Sequence, residues 1–255
     1  MSTGGKLQRQ IEIEHKYTTP NPLQLRELLT EYTVPGHTID IHDIYYDWDD
    51  CRLTLNNIWL RKRNTQYELK YINKTYNSTG SGGPNKSYNN TVYNEIDDLR
   101  HIEYVLTQYV HCTPPFAHES LQWLQWLHQY GGLKQFIKLH TCRQQYQVKH
   151  NVIQPCHYNI MVVIDTCNDI DHSIVEIEIN VPSEPSITDI NTIHENIDHM
   201  AQLLQLQSIN NNNNQLVIGK IEKYLMLYKP DHYRLLAITG VLPSHNQLYR
   251  TTAPL

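Results

Sequence analysis

Several features that would assign the chain to a common protein class are missing from its 255 residues. The sequence has neither an apolar leader nor a hydrophobic run long enough to span a bilayer, so we expect a cytoplasmic protein without a membrane anchor. Its five cysteines form no Cys-x-x-Cys pair, which argues against a zinc knuckle or a disulfide framework. Glycine-rich loops of the Gly-x-Gly-x-x-Gly or Walker type are also missing, so phosphate binding at a helix N-terminus is not expected.

The charge balance excludes a further class. The formal net charge is -5, which disfavours a general nucleic-acid-binding surface because phosphate backbones require positive charge. Hydrophobic residues make up 40% of the chain and charged residues 18%, which is typical of a folded globular protein. We therefore expect a single domain over residues 1–255, with a flexible loop at 77–91 and an Asn-rich insertion at 208–215. No helix suited to self-association stands out, so a monomer is expected.

The pattern of apolar residues predicts many strands and a few helices. Alternating or β-branched segments predict strands at 8–17, 38–47, 57–63, 66–73, around Tyr93, within 135–153, and at 158–166 and 173–181. Amphipathic segments predict helices at about 23–35, 97–109, 117–130 and 187–207, then a mostly helical tail over 216–242, interrupted at Pro230. Strands and helices do not alternate regularly, so the sequence favours an antiparallel sheet or barrel with added helices over a parallel sheet.

Charged residues two positions apart recur along the predicted strands. Glu12, Glu14 and Lys16 must share one face of a strand, because successive side chains point to opposite faces. The same spacing recurs in Arg61 with Arg63, Glu68 with Lys70, and Glu176 with Glu178.

For any single strand, a solvent-facing side is the simpler interpretation. The opposite faces are strongly apolar, however, and neighbouring like charges repel. Together these patterns favour charged faces that line the interior of a closed barrel. Paired carboxylates are suitable ligands for Mg²⁺ or Mn²⁺, and Arg and Lys side chains pair with phosphoryl oxygens.

Several short motifs then resemble those of one family. The Glu-Ile-Glu-His-Lys run at residues 12–16 resembles the Glu-x-Glu-x-Lys signature of the CYTH superfamily, also called the triphosphate tunnel metalloenzymes. The Tyr-Tyr-Asp run at 45–47, the Trp-Leu-Arg-Lys-Arg run at 59–63 and the Glu-Leu-Lys run at 68–70 resemble segments of animal-type thiamine triphosphatases. Later positions that match in the family's order are Arg143, Asp165, Glu176, Glu178 and Lys220.

The resemblance implies an α+β fold, namely an eight-stranded antiparallel β-barrel that forms a triphosphate tunnel with surrounding helices. It implies that a small-molecule triphosphate is held by Lys16, Arg61, Arg63, Lys70, Arg143 and Lys220. It implies that Mg²⁺, or alternatively Mn²⁺, is held by Glu12, Glu14, Asp165, Glu176 and Glu178. The catalytic residues predicted on this basis are Glu12, Glu14, Lys70 and Tyr45.

Three further positions of the motifs are predicted individually. Trp59 lies two residues before Arg61 and either packs in the barrel or offers its indole to the thiazolium ring of a substrate. Tyr45 and Lys70 are predicted to form a close pair that affects the pH optimum. The sequence departs from the family's Tyr-Lys-Glu segment, because Asn94 stands where the family has a lysine.

The expected reaction is metal-dependent hydrolysis of thiamine triphosphate to thiamine diphosphate and phosphate. Hydrolysis of inorganic tripolyphosphate is the first alternative, and an adenylate cyclase of the class IV type is the second. A non-catalytic phosphate-binding module remains as a non-enzymatic alternative. The large number of carboxylates beside an anionic ligand argues against it.

Overall fold

A computed structural model describes residues 10–19, 21–73, 92–110, 119–153, 158–181, 185–210 and 215–244. Its main strands are β1 (Gln10–Tyr17), β2 (Thr33–Asp47), β3 (Ile58–Arg63), β4 (Gln66–Ile72), β5 (Val92–Ile96), β6 (Lys134–Val148), β7 (Ile160–Cys167) and β8 (His172–Val181). The helices of these ranges are α1 (Pro22–Tyr32), α2 (Leu99–Leu106), α3 (Ser120–Gln129), α4 (Ile187–Leu203), α5 (Lys220–Tyr228) and α6 (Pro230–Ile238). Two short strands, β9 (Ile209–Asn210) and β10 (Gln215–Leu216), pair separately.

The eight main strands form a closed barrel in the order β1-β5-β4-β3-β2-β6-β7-β8. Every neighbouring pair is antiparallel, and the pairing of β1 with β8 closes the ring. The predicted eight-stranded antiparallel β-barrel with surrounding helices is therefore confirmed. Closure leaves no free sheet edge and separates an inner from an outer face on every strand.

The outer face of the barrel carries the main apolar core. On β1, Ile11 and Ile13 are fully buried and belong to a cluster with Leu29 of α1 and Ile197 of α4. A second cluster joins Leu60 of β3 to residues of α2 and α3. Because the apolar side chains point outward beneath the helices, the alternating charged side chains must point inward.

The C-terminal helices cover one end of the barrel. Tyr45 at the end of β2 and Ile137 near the start of β6 belong to a buried cluster with Leu225 of α5 and with Tyr233 and Leu236 of α6. The end of β2 and the start of β6 lie at the same end of the barrel, because the two strands are antiparallel partners. Helices α5 and α6 therefore pack against this end, and Pro230 begins α6 as the sequence predicts.

One predicted boundary is wrong. The first helix was expected to reach about residue 35, but it ends at Tyr32, and β2 already begins at Thr33. The strand passes through Pro35 with a shift of register, as expected where proline offers no N–H to the ladder. At Gly36, an added Cβ would lie 3.0 Å from the carbonyl oxygen of Gln145, so a glycine permits the close approach of β6.

Other predictions fall partly outside the described residues. The predicted loop at 77–91 lies outside the described residues. Residues 211–214 of the Asn-rich insertion lie outside them as well. Within the described ranges, no helix combines the length and the apolar character needed to cross a membrane.

Candidate active site

Three glutamates meet on the inner face where the barrel closes. Glu12 and Glu14 lie on β1, and Glu178 lies on β8 directly opposite Glu14. One oxygen from each of the three carboxylates lies within 4.8 Å of the others, and all three residues are buried. We call these residues the glutamate triad. Burial, together with the nearby carboxylates of Glu12 and Glu14, raises the pKa of Glu178 to about 8 against the opposing effect of Arg143.

Two lysines lie against the triad. The Nζ of Lys16 donates to Oε1 of Glu14 at 2.5 Å, and the Nζ of Lys70 donates to the same oxygen at 3.1 Å. Lys70 also contacts the carboxylate of Glu12. Burial would raise the pKa of Glu14, but the two ammonium groups outweigh it and hold that pKa well below its usual range. Burial does raise the pKa of Glu12, although Lys70 opposes the change.

The other two predicted metal ligands are not part of the triad. Asp165 on β7 accepts hydrogen bonds from Nε and Nη2 of Arg143 at 2.7 and 2.8 Å, and from Nζ of Lys220 at 2.5 Å. Glu176 accepts one from Arg143 at 3.2 Å and lies 3.9 Å from the Nζ of Lys16. Burial alone would raise the pKa of Asp165, but Lys220 and Arg143 lower it. In the structure, Asp165 and Glu176 are paired with cationic side chains, and their role as metal ligands stays a prediction.

The arginines of β3 are oriented by carboxylates that the sequence analysis did not assign to the site. Arg63 donates to both oxygens of the buried Asp43 at 2.9 Å. Arg61 donates to Glu68 at 2.7 Å and to Glu95 at 2.5 Å. These three carboxylates alternate along β2, β4 and β5 in the same way as the assigned residues, so the period-two pattern could have identified them.

The predicted pair of Tyr45 and Lys70 is not formed. The hydroxyl of Tyr45 is buried and has no hydrogen-bond partner among the residues that the structure describes, and the strand partner of Tyr45 is Arg61. The aromatic ring nearest to the ammonium group of Lys70 belongs to Tyr93, whose centroid lies 4.6 Å from the Nζ. Tyr45 lies on β2 and Lys70 on β4, with β3 between them, so strand order separates the two side chains.

The side chain of Trp59 lies inside the barrel and packs against other buried residues. It is 6% exposed and belongs to the buried cluster under α5 and α6, and its indole N–H donates to the side-chain oxygen of Asn57 at 2.8 Å. It lies directly opposite Lys70 in the β3–β4 ladder. The packing interpretation therefore has direct structural support, and a role as a platform for a cationic ring stays a prediction.

Position 94, where the family has a lysine and this chain has Asn94, does not face the interior of the barrel. Asn94 is paired with Ile11, so it shares the outer face of the barrel, and its side-chain oxygen accepts a hydrogen bond from Asn73 at 3.0 Å. A longer side chain at this position would point away from the triad.

The triad suits a hard divalent cation. Its donors are all carboxylate oxygens, the ligand type that Mg²⁺ and Mn²⁺ prefer. Among the described atoms, Oε2 of Glu178 is buried and accepts no hydrogen bond; the nearest cation is Nη1 of Arg143 at 3.7 Å. A buried carboxylate oxygen without a partner is costly, and a bound cation would satisfy it while removing the repulsion among the three glutamates.

The comparison with protein families agrees with this architecture. The CYTH domain profile matches residues 10–211, which contain all eight barrel strands. The chain therefore belongs to the CYTH family. The match ends before Lys220 and the two C-terminal helices. Comparison with curated proteins gives no match.

Solved structures of distant proteins resemble the CYTH chain over most of its length. A Vibrio parahaemolyticus protein, provisionally assigned as an adenylate cyclase, has 14% identity and a TM-score of 0.46, covering 84% of this chain and 97% of its own. A Hippeastrum protein described as having a dominant triphosphatase activity has 16% identity and a TM-score of 0.44, covering 77% of this chain and 88% of its own. The Mimivirus capping-enzyme triphosphatase has 13% identity and a TM-score of 0.39, covering 80% and 92%. Such distant similarity carries no information about the activity of this chain.

Proposed function

We propose that this CYTH chain is a metal-dependent hydrolase of small triphosphates, and that its substrate is thiamine triphosphate, which it converts to thiamine diphosphate and phosphate. The observation that supports the proposal is the buried glutamate triad beside basic side chains on the same inner face. Membership of a family that includes triphosphatases also supports it.

The basic side chains would bind the phosphoryl oxygens. Arg61, Arg63 and Arg143 are each fixed by carboxylates, so their planar guanidinium groups are oriented before a substrate enters. Lys16 and Lys70 both contact Glu14 of the triad and would act as point charges near the terminal phosphoryl group. Phosphoryl transfer requires mainly positioning and neutralisation of charge, which such a set provides.

The reaction is the attack of a water on the terminal phosphorus with cleavage of its bond to the bridging oxygen, so that the diphosphate leaves. Glu12, Glu14 and Glu178 would hold Mg²⁺ or Mn²⁺, which supplies further neutralisation of phosphoryl charge when bound. A carboxylate of the triad that is not engaged by the cation could accept the proton of the attacking water.

An aromatic residue of the inner face supports thiamine triphosphate as the substrate. Trp59 faces inward on β3, and an aromatic ring attracts a thiazolium cation by about 0.5–2 kcal/mol. Inorganic tripolyphosphate is the second candidate, because Trp59 is only 6% exposed and its packing against the apolar cluster limits the ring area available to a ligand.

A substrate panel with purified protein tests the proposal. Thiamine triphosphate, inorganic tripolyphosphate and ATP are each incubated with Mg²⁺ or Mn²⁺, and phosphate and cyclic AMP are measured. We expect the highest kcat/KM for thiamine triphosphate. Faster release of phosphate from tripolyphosphate would establish the second candidate, and formation of cyclic AMP would establish a cyclase.

A matched pair of variants tests the role of the triad. Glu14→Gln should lose activity, because it removes the charge that both lysines contact and one metal-binding oxygen. Glu195→Gln, which alters an exposed glutamate on α4, is the control and should retain full activity. Equal activity of the two variants would contradict a hydrolase centred on the triad.

A further inference from the structure

Asn57 connects two aromatic residues of the interior. It precedes β3 with a φ of 55°, in the left-handed region that asparagine tolerates better than most residues. Its side-chain oxygen accepts the indole N–H of Trp59 at 2.8 Å, and the same side chain lowers the pKa of Tyr93 of β5 as a hydrogen-bond partner. The side chain at the turn before β3 therefore lies against both aromatic residues.

The ring of Tyr93 in turn contacts Lys70. The Nζ lies 4.6 Å from the ring centroid, within the distance at which an ammonium is attracted to an aromatic face. Burial raises the pKa of Tyr93, although Lys70, Lys16 and Asn57 oppose the change, so at neutral pH the residue acts through its neutral ring.

Lys70 needs such a contact because of its surroundings. Its side chain has four flexible carbons, and its ammonium group contacts the carboxylates of Glu12 and Glu14. These carboxylates attract it toward the triad, where it would compete with a cation for the same oxygens. The face of Tyr93 offers a second favourable position from which the ammonium group can reach a phosphoryl oxygen.

We propose that Asn57 and Tyr93 are positioning residues for Lys70: Asn57 fixes the Tyr93 ring, and the ring holds the ammonium group between the glutamate triad and the bound triphosphate. This inference rests on the proposed function, because Lys70 would serve the hydrolysis of a triphosphate. Neither residue would touch the reacting atoms.

Variants of Tyr93 separate the ring from the hydroxyl group. Tyr93→Leu removes the ring, so we expect kcat/KM to fall about 2- to 30-fold, as the strength of a cation–π contact implies. Tyr93→Phe keeps the ring but loses the contact with Asn57, so its loss should be smaller than that of Tyr93→Leu and similar to that of Asn57→Gly. The midpoint of urea unfolding is measured for each variant, because a purely structural role would lower activity only together with stability.

A second pair of variants tests Asn57 without removing a ring. Asn57→Gly keeps the left-handed turn but removes the amide, and Asn64→Gly makes the same change at another asparagine with a positive φ, at the turn between β3 and β4. We expect Asn57→Gly to lower kcat/KM and Asn64→Gly to leave it unchanged. Adding Tyr93→Phe to Asn57→Gly should cause no further loss, because both changes remove the same hydrogen bond.

Binding of inorganic tripolyphosphate is measured by calorimetry without metal. This measurement tests the positioning of Lys70 separately from the proposed hydrolysis. If the wild-type protein hydrolyses no triphosphate, the proposed function fails, but the affinity of the variants still tests the positioning of Lys70. We expect the weakest binding for Tyr93→Leu and intermediate binding for Tyr93→Phe. Equal affinities and activities of Tyr93→Leu and wild type, or equal losses in the Leu and Phe variants, would overturn the inference.

Discussion

The clearest test of the site compares Asp165→Asn with Glu178→Gln, because the structure gives the two carboxylates different roles. Asp165 is fully buried and accepts three hydrogen bonds, two from Arg143 and one from Lys220. Replacing it with asparagine removes the carboxylate that Lys220 and Arg143 share, and leaves Arg143 with a hydrogen bond to Glu176. Removing one partner of a buried ion pair costs about 3–5 kcal/mol, so we expect unfolding to become easier by about 2–4 kcal/mol, since asparagine keeps the volume and one acceptor.

The expectation for Glu178→Gln is the reverse. The pKa of Glu178 is raised to about 8 by burial, so the carboxyl group is largely protonated at pH 7 and glutamine is a close substitute for it. Glutamine also removes the cost of protonating the carboxylate on folding at pH 7, so we expect the variant to be at least as stable as the wild type. Binding of Mn²⁺, however, should weaken by about tenfold or more, because a triad oxygen is lost, whereas Asp165→Asn should bind Mn²⁺ nearly as the wild type does.

Urea unfolding and Mn²⁺ titration followed by electron paramagnetic resonance measure the two quantities independently. Asp165→Asn should therefore lower stability with little change in Mn²⁺ affinity. Glu178→Gln should lower Mn²⁺ affinity without lowering stability. If Asp165→Asn abolished Mn²⁺ binding at unchanged stability, Asp165 would be a metal ligand, as the family resemblance implies, and our interpretation of its ion pairs would be refuted.

Three further predictions follow from individual contacts. Without metal, the stability of the wild type should fall as pH rises from about 6.5 to 8, because folded Glu178 retains a proton that the unfolded chain has already lost. Urea unfolding at several pH values should show that the free energy of unfolding of Glu178→Gln changes less steeply with pH. Leu225→Ala should destabilise the fold by about 2–5 kcal/mol in the same assay, since this fully buried side chain packs in the cluster that covers one barrel end. Arg63→Lys keeps the charge but loses the two-point contact with Asp43, so kcat/KM should fall by about tenfold, whereas Arg52→Lys, at an ion pair with an exposed aspartate, should leave it unchanged.

The sequence predicts the inner and outer faces of the barrel well, because they depend on local alternation. Glu12 and Glu14 against Ile11 and Ile13 identify the two faces of β1 without any tertiary information. The start of β2 is missed for a local reason as well: Pro35 and Gly36 are typical of a chain break, yet here they lie in a strand whose pairing with β6 continues on both sides of the irregularity.

Partners across strands are harder to predict, because they depend on register. Arg143 and Asp165 lie directly opposite each other on β6 and β7, and this pairing makes Asp165 a partner of cations. The sequence gives the face of each residue but not its depth along the barrel. The same limit explains the misassigned neighbour of Lys70: Tyr45 and Tyr93 both face inward, and only strand order decides which of them is close.

The closing pair of strands has a consequence for how the barrel opens. Glu14 and Glu178 lie directly opposite each other across the β1–β8 ladder, so this strand pair must bear either the protonation of Glu178 or the repulsion of two like charges, and both weaken it. This ladder joins residues near the two ends of the matched domain, so its contacts are among the most distant along the chain. We therefore expect the amide hydrogens of the β1–β8 pair to exchange faster than those of the β3–β4 hairpin. Mn²⁺ should slow exchange in the β1–β8 pair first, so that a bound metal would stabilise the closure of the barrel.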